Sequence, residues 1–153
     1  MTIFHSLNTS ASALTAQRLR MDVISSNMAN VDTTRGKMVN GEWQPYRRKS
    51  VSFQPREGQF SSLLSAAIGK PQKGSAGYGV TVSSIKEDTE TPFKLVFDPS
   101  HPDANDEGYV SMPNVDPLRE MIDLMSATRS YEANVTVLNA NKSMLMKALE
   151  IGK

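Results

Sequence analysis

The C-terminal stretch 129–153, RSYEANVTVLNANKSMLMKALEIGK, decides the fold of this chain. Its apolar residues recur at intervals of three and four, the spacing that places side chains on one face of a long α-helix. The residues around them are largely Asn, Ala, Ser and Thr, where an exposed helix usually carries Glu and Lys. Short side chains let helices approach closely. The stretch therefore predicts a helix that needs more than one neighbour.

Proline and glycine divide the rest of the chain. All eight prolines lie in its middle, from Pro45 to Pro117, and both ends are free of helix-breaking residues. This distribution predicts an α+β fold in which long N- and C-terminal helices pair as a coiled coil beside a small β-rich middle domain. The predicted segments are an N-terminal helix 1–31, a middle domain 32–116 with a flexible insert 60–79, and a C-terminal helix 117–153. Strands are predicted at 46–54, 79–86 and 93–97, with a short one around residue 109.

Each predicted helix carries a heptad-like apolar seam. Asp116 is the expected N-cap of the C-terminal helix, and Pro117 occupies its first position. The expected packing residues on the two seams are Leu7, Leu14, Met21, Met28, Met121, Leu124, Tyr131, Val135, Leu138, Leu145 and Leu149. An intramolecular coiled coil or a dimer would account for these seams alone.

A second stripe runs along the C-terminal helix, roughly a third of a turn from the seam. Its members are Ala133, Val137, Ala140, Met144 and Ala148. One partner helix cannot cover both faces, so we expect neighbouring copies of the chain to cover the stripe, with Val137 and Met144 as packing residues. Because a single helix pair does not offset the entropy cost of ordering both ends, we expect the ends to be largely disordered in the free monomer.

Composition excludes several classes of function. The chain has no Cys and two His, and its formal net charge is +1, so nothing in the balance indicates a nucleic-acid partner. The N-terminus is not patterned as a cleaved secretory signal, and no stretch is apolar enough for a membrane span. Charge is nevertheless split: residues 32–79 carry a net charge of +5 and residues 80–117 a net charge of −6. Neutralisation within the domain and attraction between subunits both fit this split.

Few sequence patterns in the chain indicate a catalytic or ligand-binding site. The segment 98–108, DPSHPDANDEG, gathers His101 with carboxylates such as Asp103 and Asp106, but its spacing matches no calcium-binding loop and suits a surface turn. The cluster YRRK at 46–49 is more typical of a strand face than of a nucleic-acid site. No catalytic motif is present, so we expect no enzyme, cofactor, metal or small-molecule substrate. An enzyme built on the His101 cluster is a rival hypothesis.

The segment 25–34, SSNMANVDTT, resembles the motif that ends the N-terminal helix in the axial proteins of the bacterial flagellum, a family of rod, hook and hook-junction subunits. The segments PYRRKSVSFQ, EGYVSMPNVD and MSATRSYEANVTVLNANKSMLMKALEIGK are similar to those of proximal rod subunits. One departure is that the aromatic residue expected soon after the motif is delayed to Trp43. In the resemblance, five motif residues shape the exit of the N-terminal helix: Asn27, Ala29, Asn30, Val31 and Thr33.

The resemblance implies a structural subunit of the basal-body rod in the periplasm, exported by the flagellar type III apparatus. It would polymerise through its terminal helices into a hollow shaft that transmits torque. Its implied partners are copies of itself, other rod proteins, the inner-membrane ring and the export apparatus. The alternative is a soluble coiled-coil adaptor, or a binding protein like an export chaperone.

Overall fold

The computed structural model describes residues 3–56, 68 and 79–151. Nearly all of the predicted insert 60–79 lies outside these residues. The described chain is α+β, as predicted, with a helix towards each end and short strands between them. The helices are α1, Ile3–Ala29, and α2, Pro117–Ile151; the strands are β1, Lys37–Val39; β2, Glu42–Gln44; β3, Lys49–Pro55; β4, Val80–Glu87; β5, Lys94–Phe97; and β6, Tyr109–Met112. No described helix is both long and apolar enough to cross a membrane.

Local hydrogen bonds fix the start of α2. Asp116 Oδ1 accepts the backbone N–H of Leu118 at 3.0 Å, which confirms Asp116 as the N-cap. The carbonyl of Asp116 accepts the N–H of Glu120 at 3.0 Å, the first bond of the helical ladder. Pro117 does not destabilise the helix at its first position, because a backbone N–H there has no partner within the helix.

The described strands form three separate two-stranded sheets: β1–β2, β3–β4 and β5–β6. The first and third pairs are antiparallel. The β1–β2 hairpin is absent from the sequence-based predictions, although its two turn residues are a strong signal for a hairpin. Asn40 and Gly41 have φ angles of 54° and 89°, as a two-residue type I′ turn requires, and Asn-Gly is the strongest short signal for that turn.

The chain divides into two compact units, each of which contains part of both helices. The first unit comprises residues 1–19, 52–84 and 127–153, and the second comprises residues 20–51 and 85–126. In the first unit, Ala16 and Ala127 are buried, and the N–H of Val80 donates to Ser12 Oγ at 3.1 Å. Gly79 is required beside this contact, because its φ is 109° and a Cβ there would overlap Ser12 Oγ.

The core of the second unit combines small apolar residues with buried polar ones. Its buried apolar side chains include Val23, Ile24, Val110 and Val115, and the prolines at 45 and 113 are buried as well. The three largest fully buried side chains of the described chain are Glu120, Val110 and Asn27. Two of these three are polar, so hydrogen bonds must compensate the cost of their burial.

The covered face of α2 and the predicted seam share one position in every seven residues. These shared positions are Leu124, Tyr131, Leu138 and Leu145, all half-buried. Before and between them the covered positions are Glu120, Ala127, Asn134 and Asn141, one residue earlier than positions 121, 128, 135 and 142, which the heptad spacing gives. Val135 is half-buried as well, whereas Met121 is 47% exposed. The prediction followed hydrophobicity, but the chain covers small and polar residues at the intermediate positions.

On α1 the predicted seam lies beside the most buried face. Leu7, Leu14, Met21 and Met28 are half-buried. The residues of α1 that are most completely covered are Ser10, Ala16, Val23, Ile24 and Asn27. Short and β-branched side chains line this face, so they bring the helix close to its neighbours.

Candidate functional site

The carboxamide of Asn27, near the end of α1, is the centre of the second unit. Its Nδ2 donates to the carbonyl of Lys49 at 2.8 Å and to Glu120 Oε2 at 3.0 Å. Its Oδ1 accepts the N–H of Lys49 at 2.9 Å and the hydroxyl of Tyr46 at 3.0 Å. All four hydrogen-bonding positions of the amide are therefore used. The side chain pairs with both backbone groups of Lys49 and so attaches α1 to the start of β3.

Glu120, in the first turns of α2, supplies the next link. Its side chain is fully buried, and Oε1 accepts Arg48 Nε at 2.5 Å. A second guanidinium nitrogen of Arg48 lies 3.2 Å from Asp123 Oδ2, and Arg20 Nη2 lies 3.5 Å from Asp123 Oδ1. Arg48, the residue before β3, thus contacts two successive turns of α2, while Arg20 joins α1 to α2. A buried carboxylate is stable only with partners of this kind.

Asn114, just before α2, extends the cluster to the loop after β4. Its Oδ1 accepts the N–H of Arg48 at 2.8 Å, and its Nδ2 donates to the carbonyls of Asp88 and Thr91 at 3.1 and 3.2 Å. The N–H of Asp88 donates to the carbonyl of Arg48 at 2.8 Å. Hydrogen bonds from Thr91 to the Asp88 carboxylate lower the pKa of Asp88 below its ordinary value.

We call these residues the junction network, because they join both helices to the strands and loops of the second unit. Its members are Arg20, Asn27, Tyr46, Arg48, Asp88, Asn114, Glu120 and Asp123. Only Asn27 was among the predicted site residues. The available signal was Glu120, which lies four residues before Leu124 on the covered face of α2 and needs a cationic partner there.

The YRRK cluster at 46–49 belongs largely to this junction. Arg48 and Tyr46 are members of the network, and Arg47 lies 4.4 Å from the centre of the Phe93 ring. Lys49 Nζ lies 5.5 Å from the centre of the Tyr46 ring. Cations committed to internal carboxylates and rings are not arranged for phosphate binding, which favours the interpretation as a strand face.

The motif 25–34 forms the exit from α1. Asn30 Nδ2 donates to the carbonyl of Ser26 at 2.8 Å, and Asn30 Oδ1 accepts the Thr33 hydroxyl at 3.2 Å. The carbonyl of Thr33 accepts the N–H of Tyr46 at 3.1 Å. Asn27, Asn30 and Thr33 are thus joined to one another and to the strand region by hydrogen bonds. Val31 is half-buried and Ala29 is exposed.

Gly36 follows this exit and packs directly against the backbone. Its N–H donates to the carbonyl of Gln44 at 2.8 Å, and an added Cβ would lie 2.7 Å from the backbone nitrogen of Tyr46. We expect Gly36→Ala to lower the free energy of unfolding by about 1–3 kcal/mol, because backbone cannot yield as a flexible side chain can. Urea unfolding of the purified chain measures this change. Lys37→Ala, at the exposed next residue, is the control, and equal midpoints for the two variants would contradict the expectation.

The acidic segment 98–108 is a surface turn between β5 and β6. Asp103 accepts the Thr34 hydroxyl and Arg35 Nε, both at 2.7 Å, so the turn is fastened to the chain that leaves α1. His101 Nδ1 accepts the N–H of Asp103 at 3.1 Å. Among the described residues no group of three His, Cys, Asp or Glu side chains is placed to hold a metal ion. The Arg35–Asp103 pair also links the two oppositely charged halves within one chain.

This pair predicts a pH dependence of stability. Hydrogen bonds from Arg35 and Thr34 lower the pKa of Asp103 below its ordinary 3.8. A lowered folded pKa contributes stability that is fully present above about pH 4 and is lost as the pH falls through the folded pKa. The melting temperature of the wild type should therefore exceed that of Asp103→Asn near neutral pH, and the gap should narrow in acid. Asp106→Asn, in the same turn, is the control, and a gap independent of pH would contradict this account.

The junction holds helices and strands in a fixed relation. Arg20, Arg48, Glu120 and Asp123 are paired with one another, and the amides of Asn27 and Asn114 are hydrogen-bonded to neighbouring elements. Such a joint beside two long helices fits a structural subunit. A model described as "Flagella basal body rod protein" matches residues 7–36, and one described as "Flagellar basal body rod FlgEFG protein C-terminal" matches residues 106–151.

The full-length relatives identify the family more closely. The chain is 67% identical over 153 residues to the flagellar basal-body rod protein FlgC of Bacillus subtilis (strain 168), covering 100% of both chains. It is 44% identical over 162 residues to the protein of that name from Borreliella burgdorferi, covering 99% of this chain and 98% of the relative. It is 42% identical to that of Salmonella typhimurium, again over 100% of both chains. The chain belongs to the FlgC family of flagellar basal-body rod proteins.

This membership places the chain in a structural family of the basal body and not in an enzyme family. It confirms the resemblance drawn from the motif 25–34 and the C-terminal block. The two family models match regions that contain most of α1 and all of α2. The junction residues Asn27, Asn114, Glu120 and Asp123 lie within these matched regions.

Proposed function

We propose that this chain is exported by the flagellar type III apparatus and polymerises through its terminal helices into a hollow rod that spans the periplasm and transmits torque. In the rod, α1 and α2 of one subunit pair as a coiled coil, and segments 1–31, 32–116 and 117–153 act as N-terminal helix, middle domain and C-terminal helix. The partners are other copies of the chain, other rod proteins, the inner-membrane ring and the export apparatus. Its role is to assemble into the rod.

The observation that carries this proposal is the uncovered stripe on α2. Val137 is 49% exposed and Met144 is 62% exposed, and the alanines at 133, 140 and 148 are exposed beside them. Outside the stripe, Leu149 on the predicted seam is 70% exposed. A contiguous apolar surface of this kind marks an interaction site. Small residues between larger ones favour a close helical neighbour. A contact between different faces of successive copies builds an open filament when its rotation does not close into a ring.

The junction network gives the assembled rod a means of passing load. Torque applied to the helices reaches the strands through Asn27, Arg48 and Glu120, whose bonds act in different directions. Close packing makes protein interiors resist deformation, and several copies around each helix add their contacts. Stiffness in the rod then comes from summed packing between subunits, while the network prevents the helices from turning against the middle domain.

Deletion of the gene tests the role directly. Cells lacking this chain should keep the inner-membrane ring and lose the rod and everything beyond it, as seen by electron microscopy of purified basal bodies. Expression of the wild-type chain from a plasmid is the control and should restore the rod. Complete rods in the deletion strain would refute the proposal. A small oligomer of fixed size that is fully helical at micromolar concentration would instead favour the adaptor or chaperone alternative.

A further inference from the structure

We propose that the β1–β2 hairpin of one copy of this chain docks on the outer face of the β5–β6 sheet of the next copy. The hairpin supplies Met38 and Trp43, and the sheet supplies Leu95, Phe97 and Tyr109. This inference rests on the proposed function and deepens it, since it names two surfaces through which successive copies meet. Both surfaces belong to the second unit.

The outer face of the β5–β6 sheet is apolar, although a single chain leaves it exposed. Phe97 pairs with Tyr109 in the antiparallel register, and Leu95 lies two residues from Phe97, so these three side chains share one face. Leu95 and Phe97 are 66% and 63% exposed. The opposite face carries Val110, which belongs to the core. A sheet with one solvated face normally has polar residues there, so this composition is typical of a sheet that is covered on both sides.

The aromatic pair on this face is held in place within the chain. The rings of Phe97 and Tyr109 meet edge to face, with centroids 5.3 Å apart and planes inclined by 65°. Gly108 packs beside them, because its φ is 81° and an added Cβ would lie 3.0 Å from Cε2 of Phe97. Aromatic side chains that are already fixed lose little freedom when a partner covers them, which suits them to an interface.

The β1–β2 hairpin presents the complementary projection. Met38 and Trp43 lie opposite each other in its register and therefore point to the same side. They are 55% and 54% exposed, and Trp and Met are enriched in protein interfaces. Since the hairpin pair and the β5–β6 face are both exposed, they do not cover one another within one chain. A second copy brings the two together.

Charge favours a second copy of this chain as the occupant. The turn between β5 and β6 carries Asp106 and Glu107, both exposed and close in sequence to Tyr109. A groove of about 480 Å³ borders the hairpin, and its lining has three basic residues and one acidic one: Lys37, Arg47, Lys49 and Glu87. Opposite charges around an apolar contact steer the encounter and fix its register. The acidic turn of one copy thus matches the basic groove of the next, in a head-to-tail contact.

Disulfide trapping in purified basal bodies tests this contact, and the chain suits the method because it has no Cys of its own. A chain carrying both Met38→Cys and Leu95→Cys should form covalent dimers and longer ladders after mild oxidation. Either single variant alone should form none, because a head-to-tail contact brings different residues together. The control chain carries Glu90→Cys in place of Leu95→Cys and should also form none.

The contact would be overturned if the double variant formed no dimer, or if the Glu90→Cys control formed dimers equally well. Dimers from a single variant would show that copies meet through identical surfaces, which also contradicts it. Intact rods without the cross-link would remove this contact and leave the assembly role standing. Complete rods in the deletion strain would remove the assembly role itself.

A charge exchange tests the polar part of the contact. In the double-cysteine chain, Lys37→Glu should lower the yield of trapped dimer by about tenfold or more, and adding Glu107→Lys should restore it to within about twofold. Both residues are exposed, so neither change should move the unfolding midpoint of the monomer. Glu90→Lys adds the same charge outside the turn and should not restore the yield.

Swimming of the same charge variants without the cysteines gives a second readout that needs no thiols. Lys37→Glu should impair motility, and the pair with Glu107→Lys should recover it. Normal swimming of Lys37→Glu, or equal recovery with Glu90→Lys, would overturn the match between the acidic turn and the basic groove.

Discussion

Glu120→Ala is expected to lower the free energy of unfolding of the purified monomer by about 3–5 kcal/mol, because it removes one partner from a buried ion pair. Arg48 would lose its bond to Oε1, and Asn27 Nδ2 would lose its acceptor in α2. The unpaired guanidinium cannot be hydrated fully, since its side chain is only 19% exposed. Guanidinium or urea unfolding followed by circular dichroism measures the change. Cells carrying the variant should lose motility for the same reason.

Glu132→Ala is the matched control for this experiment. Glu132 lies on the same helix, and its residue is exposed. Surface changes of this kind alter stability by less than about 0.5 kcal/mol. If Glu120→Ala shifted the unfolding midpoint no more than the control, the junction network would not be the joint described above.

Val137→Asp is expected to abolish motility and rod assembly while leaving the monomer stable to within about 0.5 kcal/mol. In the free chain the new carboxylate remains hydrated, because Val137 is 49% exposed. In the rod the same position would be covered by a neighbouring subunit, where an unpaired charge costs several kcal/mol. Since every subunit repeats the contact, the penalty applies along the whole assembly. Swimming assays and electron microscopy of basal bodies measure the outcome.

Val137→Leu is the control for the stripe. It keeps the side chain apolar and should preserve motility, although it enlarges the residue slightly. Wild-type swimming of Val137→Asp would contradict the proposal that the stripe is a subunit contact. A variant that fails to swim and also unfolds more easily as a monomer would show damage to the chain itself, so both measurements are needed.

The sequence predicted the elements of the chain more closely than their contacts. Four predicted strands correspond to β3, β4, β5 and β6, displaced at their ends by three residues or fewer where ends were given. The β1–β2 hairpin was missed because Asn40-Gly41 was not considered as a type I′ turn. The N-cap Asp116 was found because capping depends only on residues nearby in the chain.

The candidate site was harder to predict, because its contacts cross large separations in sequence. Asn27 was selected through the family motif, but its role as a partner of Lys49 was not. Arg48 was noted only as a member of a basic cluster, and Glu120 was not noted at all. The partners of Glu120 lie 72 and 93 residues away, and neither separation leaves a periodic signal in the sequence. A buried carboxylate is hidden from any method that assigns interior positions by hydrophobicity.

The sequence by itself determined that this protein has a long helix towards each end, a strand-bearing middle and a second apolar stripe on α2. These features follow from periodicity, capping and the placement of proline, all of which act over a few residues. Only the tertiary structure decided that Asn27, Arg48 and Glu120 meet, and that α2 covers small and polar residues such as Ala127 and Asn134 between its half-buried apolar ones. The physical reason is that burial of a polar group depends on whether folding brings it a partner, and distant parts of the chain supply that partner.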